Sequence, residues 1–170
     1  MLGGLKIAPA TKEKVTVRDA IGYLEPVALA NDLMHKTTVQ HSERIKKLIA
    51  LIPKNGGSRA NLPDDHILNC HRKKGVGFRD IYGRLKWDHF SNTITGGCLN
   101  PSKGRFLHPE ENRVITAREA ALLQTFPANY KFPNTITKSS LASLRGNALP
   151  PKFSFIQCLN IKNHLDRYIG

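Results

Sequence analysis

From Arg59 to Pro109 the sequence shows no helical periodicity, and this long interruption is what most limits the fold. Glycine, proline, asparagine and aspartate recur every few residues in it, and these residues favour turns over regular elements. Short β-prone runs, Gly77–Ile81 and Asn92–Thr95, lie among the turns. The chain has no internal repeats. We therefore expect an irregular, loop-rich central region that contains short strands.

Helical patterns precede this central region. Thr16 can cap a helix over Val17–Leu24, which Pro26 would stop. Ser42 can cap a second helix that Pro53 ends, followed by a turn at residues 55–58. The apolar residues of this second helix recur at helical spacing and form one stripe: Ile45, Leu48, Ile49 and Ile52.

Helical patterns return after the central region. Thr116 and Glu119 have the spacing of a capping box, which predicts a helix over Ala117–Thr125. Glu119 is therefore interpreted as a cap, and Arg113 and Arg118 as braces of the neighbouring loops or phosphate contacts. A short helix over Ser139–Arg145 would close at Gly146 in the left-handed C′ position. Pro150 and Pro151 would open a last helix that reaches about Tyr168. Its apolar stripe needs a surface to cover it: Cys158, Ile161, Leu165, Tyr168 and Ile169.

The charge of the chain points to a polyanionic partner. The formal net charge is +13 and the isoelectric point is near 10.0, and nucleic acid is the commonest partner of such a domain. Residues 72–105 hold eight lysines and arginines against two aspartates. An ordinary solvated face would explain scattered charge, but interleaved glycines let the backbone approach phosphates and favour DNA. A membrane surface is the competing anion, and no apolar run is long enough to span a bilayer.

Cysteine and histidine usage predicts neither a disulfide framework nor a metal site. The three cysteines, Cys70, Cys98 and Cys158, are odd in number and widely spaced, which favours a reduced, cytoplasmic protein. His66, Cys70 and His71 match no standard zinc spacing. Trp87 could stack on a base, but a single tryptophan in a small domain is more often a core anchor.

Three segments, in this order, resemble the C-terminal portion of bacterial DNA cytosine-5 methyltransferases. The first runs from Gly83 to Pro109 and contains GRLKW, NTIT and NPSKGRFLHP; the second is RVITAREAALLQTFP at 113–127; the third is GNALPP at 146–151. Upstream, TVRDAIG at 16–22 resembles the opening of the family's recognition region. The resemblance covers nearly the whole chain.

The resemblance implies an α+β fold and a division into three parts. Residues 1–14 would be a tail or linker, 15–138 a small irregular target-recognition domain with short strands and loops, and 139–170 a C-terminal helical segment. In the family, a large Rossmann-like domain carries the catalytic site and binds S-adenosyl-L-methionine. The final helices would pack on that absent domain, and the partners would be double-stranded DNA and a catalytic N-terminal half or subunit.

The resemblance also suggests site residues. Arg84 would read guanine O6 and N7 from the major groove, and Thr95 would contact a phosphate beside the extruded cytosine. Asn147 and Ala148 would line the cofactor site, although Asn147 could equally be an ordinary post-helix turn residue. The further DNA-binding candidates are Lys86, Thr93, Lys103 and Arg105.

The family's catalytic blocks do not occur in this sequence. There is no Pro-Cys dipeptide, no FxGxG cofactor loop, no ENV triplet and no QxRxR, so no catalytic residue is assigned here. We expect the isolated chain to transfer no methyl group unless a catalytic half, in a restriction-modification system, supplies the nucleophile. The alternatives are a stand-alone DNA-binding module and an inactive, truncated remnant.

Overall fold

The computed structural model describes residues 14–67, 80–133, 140 and 146–169. α-Helices frame an irregular centre: α1 is Val17–Ile21, α2 Leu33–Lys36, α3 Glu43–Leu51, α4 Ala117–Leu123 and α5 Pro151–Ile169. Single 3₁₀ turns occur at Arg59–Asn61, Asp64–His66 and Pro101–Lys103. Both α1 and α2 contact α4.

Helix α1 confirms the predicted start but is shorter than predicted. Thr16 and Asp19 form a capping box, and the Thr16 Oγ1 accepts from the Asp19 N–H at 3.2 Å. The first-turn N–H groups of Val17 and Arg18 donate to the carbonyls of His89 and Trp87, which fixes α1 against the central region. The helix ends at Ile21 because the next residues form a turn, closed by the bond from Leu24 N–H to Ile21 O at 3.2 Å.

The structure confirms the predicted helix α3, whereas α2 was not predicted from the sequence. Leu48, Ile49 and Ile52 of the predicted stripe are buried, and the turn after Pro53 has positive φ at Asn55 and Gly56. Helix α2 is a single turn, too short to show an apolar period. It is held by the Asp32 side chain, which accepts from the Met34 N–H at 2.9 Å.

The prediction of short strands in the central region is wrong for the described residues. They contain two isolated bridges, Arg84 with Leu107 and Leu107 with Val114, and no strand. At Asn92–Thr95 Ile94 is buried, and the other three residues are exposed. That run joins no ladder, and the chain turns immediately after it through the bond from Cys98 N–H to Thr95 O. Most of the other run, Gly77–Ile81, lies outside the described residues. The described fold is thus mainly helix and loop.

The core is continuous across the helices and the central region. Its buried members come from α1, α3, α4 and the loops between α3 and α4. Trp87 packs against this core, and its indole Nε1 donates to Glu110 Oε1 at 3.1 Å, which confirms the anchor interpretation. The central loops are therefore ordered by burial rather than by sheet pairing. The largest apolar side chains that are less than 2% exposed are Ile49, Ile52, Leu85, Leu107 and Ile115.

The C-terminal segment differs from prediction at its glycine. The predicted helix Ser139–Arg145 lies outside the described residues apart from Ser140. Gly146 and Asn147 are helical, and Gly146 does not have positive φ, so the prediction of a C′ glycine is wrong. Helix α5 begins at Pro151 as predicted. Among the described residues, none of the helices combines the length and the apolar character that a bilayer crossing demands.

Candidate DNA and cofactor site

Arg84 is a structural residue, and the prediction that it reads a guanine is wrong. Its side chain is 0% exposed. The guanidinium donates to the carbonyls of Ile49 and Ile52 at the end of α3, to those of His108 and Glu111, and to Asn112 Oδ1, at 2.6–3.0 Å. A guanidinium has five N–H donors, so none remains for a base edge.

Arg105 is occupied in a similar way. Its Nη1 donates to the carbonyls of Gly56, Gly57 and Arg84, and its Nη2 is 2.9 Å from Asp80 Oδ1. A phosphate would have to displace these partners, so Arg105 is a poor phosphate ligand in this conformation. The two arginines donate to backbone carbonyls of the loops, which in a β-sheet would accept from the N–H groups of a neighbouring strand.

Lys86 and Lys103 are the exposed cations that remain among the described residues of the basic stretch. Lys103 lies at the end of a 3₁₀ turn, and its stem packs on Gly97, where an added Cβ would come within 2.8 Å of the lysine Cβ. The other cations of the stretch, at positions 72, 73, 74 and 79, lie outside the described residues.

Thr93 and Thr95 stand on the surface on either side of a buried residue. Ile94 is 5% exposed and belongs to the core, while both threonines are exposed. The core therefore anchors the backbone that presents the two hydroxyls. This arrangement suits contacts to a phosphate backbone, which needs donors held at a fixed position.

The GNALPP segment packs directly on the loop of residues 91–96, which carries both threonines and is called the threonine loop below. A Cβ added to Gly146 would lie 1.9 Å from the Gly96 nitrogen and 2.4 Å from the Thr95 carbonyl carbon. Only glycine permits so close an approach of two backbones. The close contact, and not a left-handed φ, is therefore the reason for glycine at position 146.

Two residues after α4 hold the same segment from the other side. Gln124 Nε2 donates to the Ala148 carbonyl at 2.6 Å, and Thr125 Oγ1 accepts from the Lys152 N–H at 3.1 Å. An open cleft of about 290 Å³ lies between the threonine loop, the end of α4 and the GNALPP segment. It is lined by Ser91, Asn92, Thr93, Ile94, Leu123, Gln124, Thr125, Gly146, Ala148 and Pro150.

The cleft brings one predicted cofactor residue together with one predicted DNA residue. Ala148 and Thr93 both line it, whereas Asn147 is exposed beside it. Its volume is just below the usual range for ligand pockets, roughly 300–1,000 Å³. An open cleft of this size can hold part of a ligand of the cofactor's size.

A buried polar cluster lies at the N-terminal end of α4, opposite the end that lines the cleft. Arg113 forms paired bonds of 2.7–3.0 Å to the carboxylates of Glu111 and Glu119. Burial would raise the pKa of Glu119, but the Arg113 bonds and charge outweigh it and lower that pKa. The cluster confirms that Glu119 caps α4, since its Oε2 also accepts from the Thr116 N–H at 2.7 Å. Arg118 braces the neighbouring loops, as predicted, through Asp32 and the Tyr130 carbonyl.

His108 lies in the same cluster as a neutral acceptor. Its Nδ1 accepts from the N–H groups of Glu110 and Glu111 at 3.2 and 3.0 Å, and its ring meets Trp87 edge-on at 5.4 Å. Burial is the largest influence and lowers the pKa of His108 to about 4, against the opposing charge of Glu119. The described residues contain no group of side chains that could hold a metal ion; Cys70 and His71 lie outside them.

Sequence reasoning missed Gln124 and Thr125. Both belong to the segment that carried the resemblance, but neither has a charge or a titratable group to attract attention. A usable signal existed in Pro150-Pro151, since a helix that begins with two prolines has no capping side chain of its own. Its first N–H groups then depend on side chains from elsewhere or on water.

Comparisons with known proteins agree with the resemblance. The family model for C-5 cytosine-specific DNA methylase matches residues 8–162. A type II methylase, M.HgiDII of Herpetosiphon aurantiacus, is 37% identical over 96% of this chain and 49% of its own length. The type II methyltransferase M1.BsuMI of Bacillus subtilis is 33% identical over 76% of the chain and 30% of its own length.

A plant relative is also similar. DNA (cytosine-5)-methyltransferase 3 of Arabidopsis thaliana is 32% identical over 89% of this chain and 13% of its own length. The chain thus spans about half the length of the first of these three relatives and less of the other two. Since the family model covers most of the sequence, the chain belongs to the C-5 cytosine-specific DNA methylase family.

Proposed function

We propose that these 170 residues are the DNA-recognition and cofactor-pocket-completing part of an S-adenosyl-L-methionine-dependent DNA cytosine-5 methyltransferase of a restriction-modification system. The observation that carries the proposal is the cleft at which the threonine loop and the GNALPP segment meet. The chain holds no Pro-Cys dipeptide, so the nucleophile that attacks the cytosine ring must come from residues outside this sequence.

The DNA side of the proposal rests on Thr93, Thr95, Lys86 and Lys103. All four are exposed, and Ile94 fixes the backbone between the threonines in the core. Hydroxyl groups and ammonium groups bind phosphate oxygens without reading sequence. Base reading is then left to residues other than Arg84.

The cofactor side rests on Asn147 and Ala148. S-Adenosyl-L-methionine supplies an electrophilic methyl group when it is bound. Ala148 lines the cleft and Asn147 stands exposed beside it, so the Asn147 side chain can bind and orient a polar group of a ligand there. Gly146 holds both residues against the threonine loop, so that cofactor contacts and DNA contacts are neighbours.

The catalytic half would cover α5. Cys158, Ile161 and Leu165 of the predicted stripe are exposed, the last two by 43% and 49%; the side chains of the other two members, Tyr168 and Ile169, lie outside the description. Phe153, Phe155 and Leu159 of the same helix are exposed as well. An exposed apolar surface of this kind marks an interaction site.

The test is methyl transfer to duplex DNA from tritiated S-adenosyl-L-methionine, with and without a chain that carries the catalytic half of the family. We expect no incorporation by this chain alone and incorporation by the mixture. Ile161→Ser combined with Leu165→Ser should abolish incorporation by preventing assembly. Asn163→Ser, on an exposed polar position of the same helix, is the matched control and should retain it.

Asn147→Ala tests the cofactor wall in the assembled enzyme. It should raise the KM for S-adenosyl-L-methionine more than the KM for DNA. Methylation by the pure chain would contradict the half-enzyme proposal. Failure of every catalytic half tried would instead favour the inactive remnant.

A further inference from the structure

Helix α4 ends in a strained residue. The N–H groups of Thr125 and Phe126 donate to the carbonyls of Leu122 and Ala121 at 2.9 and 3.0 Å, the bond pattern of a Schellman motif. Thr125 takes the left-handed position of that motif, with φ of +68°. Glycine is the usual residue there, and a β-branched residue is an outlier. The end of α4 alone would therefore favour glycine over threonine.

The Thr125 hydroxyl gives the position a second role. Helix α5 begins at Pro151 and follows Pro150, and neither proline has an N–H or a side chain that accepts a hydrogen bond. The first N–H of the helix is that of Lys152, and it donates to Thr125 Oγ1 at 3.1 Å. Thr125 thus supplies the N-terminal capping oxygen that the helix sequence lacks.

Gln124 binds the backbone of the segment that precedes α5. Its side chain is 6% exposed, and its Nε2 donates to the Ala148 carbonyl at 2.6 Å. Successive residues after α4 therefore bind the backbone on both sides of Leu149–Pro151. Gly146, packed against Thr95 and Gly96, closes the opposite side of the segment.

We propose that Gln124 and Thr125 are positioning residues for the cofactor wall, acting through Ala148 and Lys152. The proposal rests on the proposed function of Asn147 and Ala148. Neither side chain needs to touch the cofactor: each fixes the backbone that presents the residues that do. A strained threonine persists where it does something that the unstrained glycine does not.

Thr125→Gly separates this role from a merely structural one, because it relieves the backbone while it removes the hydroxyl. In the enzyme assembled with its catalytic half, the Kd for S-adenosylhomocysteine should rise about threefold to tenfold, the effect of one lost hydrogen bond. The melting temperature should be unchanged or higher, and the Kd for duplex DNA should stay within about twofold. Thr125→Ser, which keeps the hydroxyl, should restore cofactor affinity.

Gln124→Met provides a second variant of similar size that cannot donate to Ala148, and it should raise the same Kd. A readout independent of cofactor is hydrogen exchange in the 170-residue chain without a catalytic half. There the Lys152 amide should exchange about threefold to tenfold faster in Thr125→Gly than in Thr125→Ser.

The outcomes are distinct. If the wild-type assembly binds no S-adenosylhomocysteine, the proposed function is wrong and this inference falls with it. If the wild type binds but Thr125→Gly and Gln124→Met bind equally well, only the positioning role is overturned. Faster exchange at Lys152 with unchanged cofactor affinity would also overturn it, because the contacts would then be structural alone.

Discussion

The central loops and helix α5 differ in how far their side chains are buried within the described chain. In the central loops the donors of Arg84 and Arg105 are turned inward, onto the carbonyls of the chain itself. In α5 the apolar side chains are turned outward, with Phe155 63% and Leu165 49% exposed. Among the described residues, the two arginines thus satisfy carbonyls of the central loops, whereas apolar side chains of α5 are left exposed.

This contrast shows that regular secondary structure is a poor guide to how well the side chains of a region are buried. A buried guanidinium with all its donors bonded orders loops as firmly as a ladder does. A helix satisfies its own backbone whether or not its apolar face is covered, but it gains stability in a protein mainly from packing. The two regions should therefore respond differently to substitution.

Loss of the Arg84 guanidinium should give the largest effect. Arg84→Met leaves four carbonyls, in three buried contacts and one part-buried contact, and the Asn112 side chain without that donor. The free energy of unfolding should fall by more than about 3 kcal/mol. Urea denaturation followed by circular dichroism measures the change. The Ile161→Ser, Leu165→Ser double variant of α5 should stay within about 0.5 kcal/mol of wild type. Equal losses in the two variants would remove the distinction between the regions.

The next largest effect is the pH dependence that His108 gives to the central loops. With its pKa near 4 in the folded state and near 6.5 when unfolded, His108 binds a proton more readily in the unfolded chain between those values. The contribution of His108 to the free energy of unfolding, about 3 kcal/mol, is therefore fully present above pH 6.5 and is lost as the pH falls toward 4. Urea melts from pH 7 to pH 4, read by the single Trp87 beside the ring, measure this loss.

His108→Asn is the variant that isolates the titration. Its amide oxygen can take the place of Nδ1 as acceptor for the N–H groups of Glu110 and Glu111, but it does not titrate. The slope between pH 6.5 and 4 should flatten in this variant. His89→Asn, at an exposed position, is the control and should keep the wild-type slope. A wild-type slope in His108→Asn would contradict the assignment.

How much the sequence could predict follows from the range of the interactions. Thr116 and Glu119 reveal their capping box at a spacing of three residues, and the start of α5 at Pro151 is visible in the same local way. The apolar stripe of α3 is read from periodicity. The family was reached from motif order, and the model match over residues 8–162 agrees with it.

The roles of Arg84 and Gly146 could not be read from the sequence. Arg84 lies among other cations and glycines, which suggested a surface, but its partners are 24–35 residues away in sequence. Gly146 followed a helical pattern and resembled a C′ glycine, whereas its constraint is the backbone at Thr95 and Gly96. In both cases the deciding contact is long-range, and no local pattern encodes it.

Two capping threonines, one buried and one near the surface, should differ by a smaller amount in their contribution to stability. Thr116 is 2% exposed, caps α4 and also contacts His35 Nδ1 at 3.0 Å; Thr16 caps α1 near the surface. Thr116→Ala should cost about 2 kcal/mol and Thr16→Ala about 0.5–1 kcal/mol, the upper and lower parts of the range for caps. Thermal denaturation of both variants measures the difference. Equal costs would mean that burial adds nothing to the cap.

The smallest effect concerns the exposed cations, which should matter for DNA and not for the fold. We expect the chain to bind duplex DNA weakly, with little sequence preference, and with log K falling against log salt at a slope near about −5 if some six phosphates are neutralised. Lys103→Ala should reduce that slope by about 1 and weaken binding to all sequences alike, while the melting temperature is unchanged. Fluorescence anisotropy over a salt series measures the slope.

The matched control is Lys162→Ala on α5, also exposed but away from the threonine loop, which should leave the slope at its wild-type value. Equal reductions by the two variants would indicate attraction by net charge alone, with no defined DNA surface at the central loops.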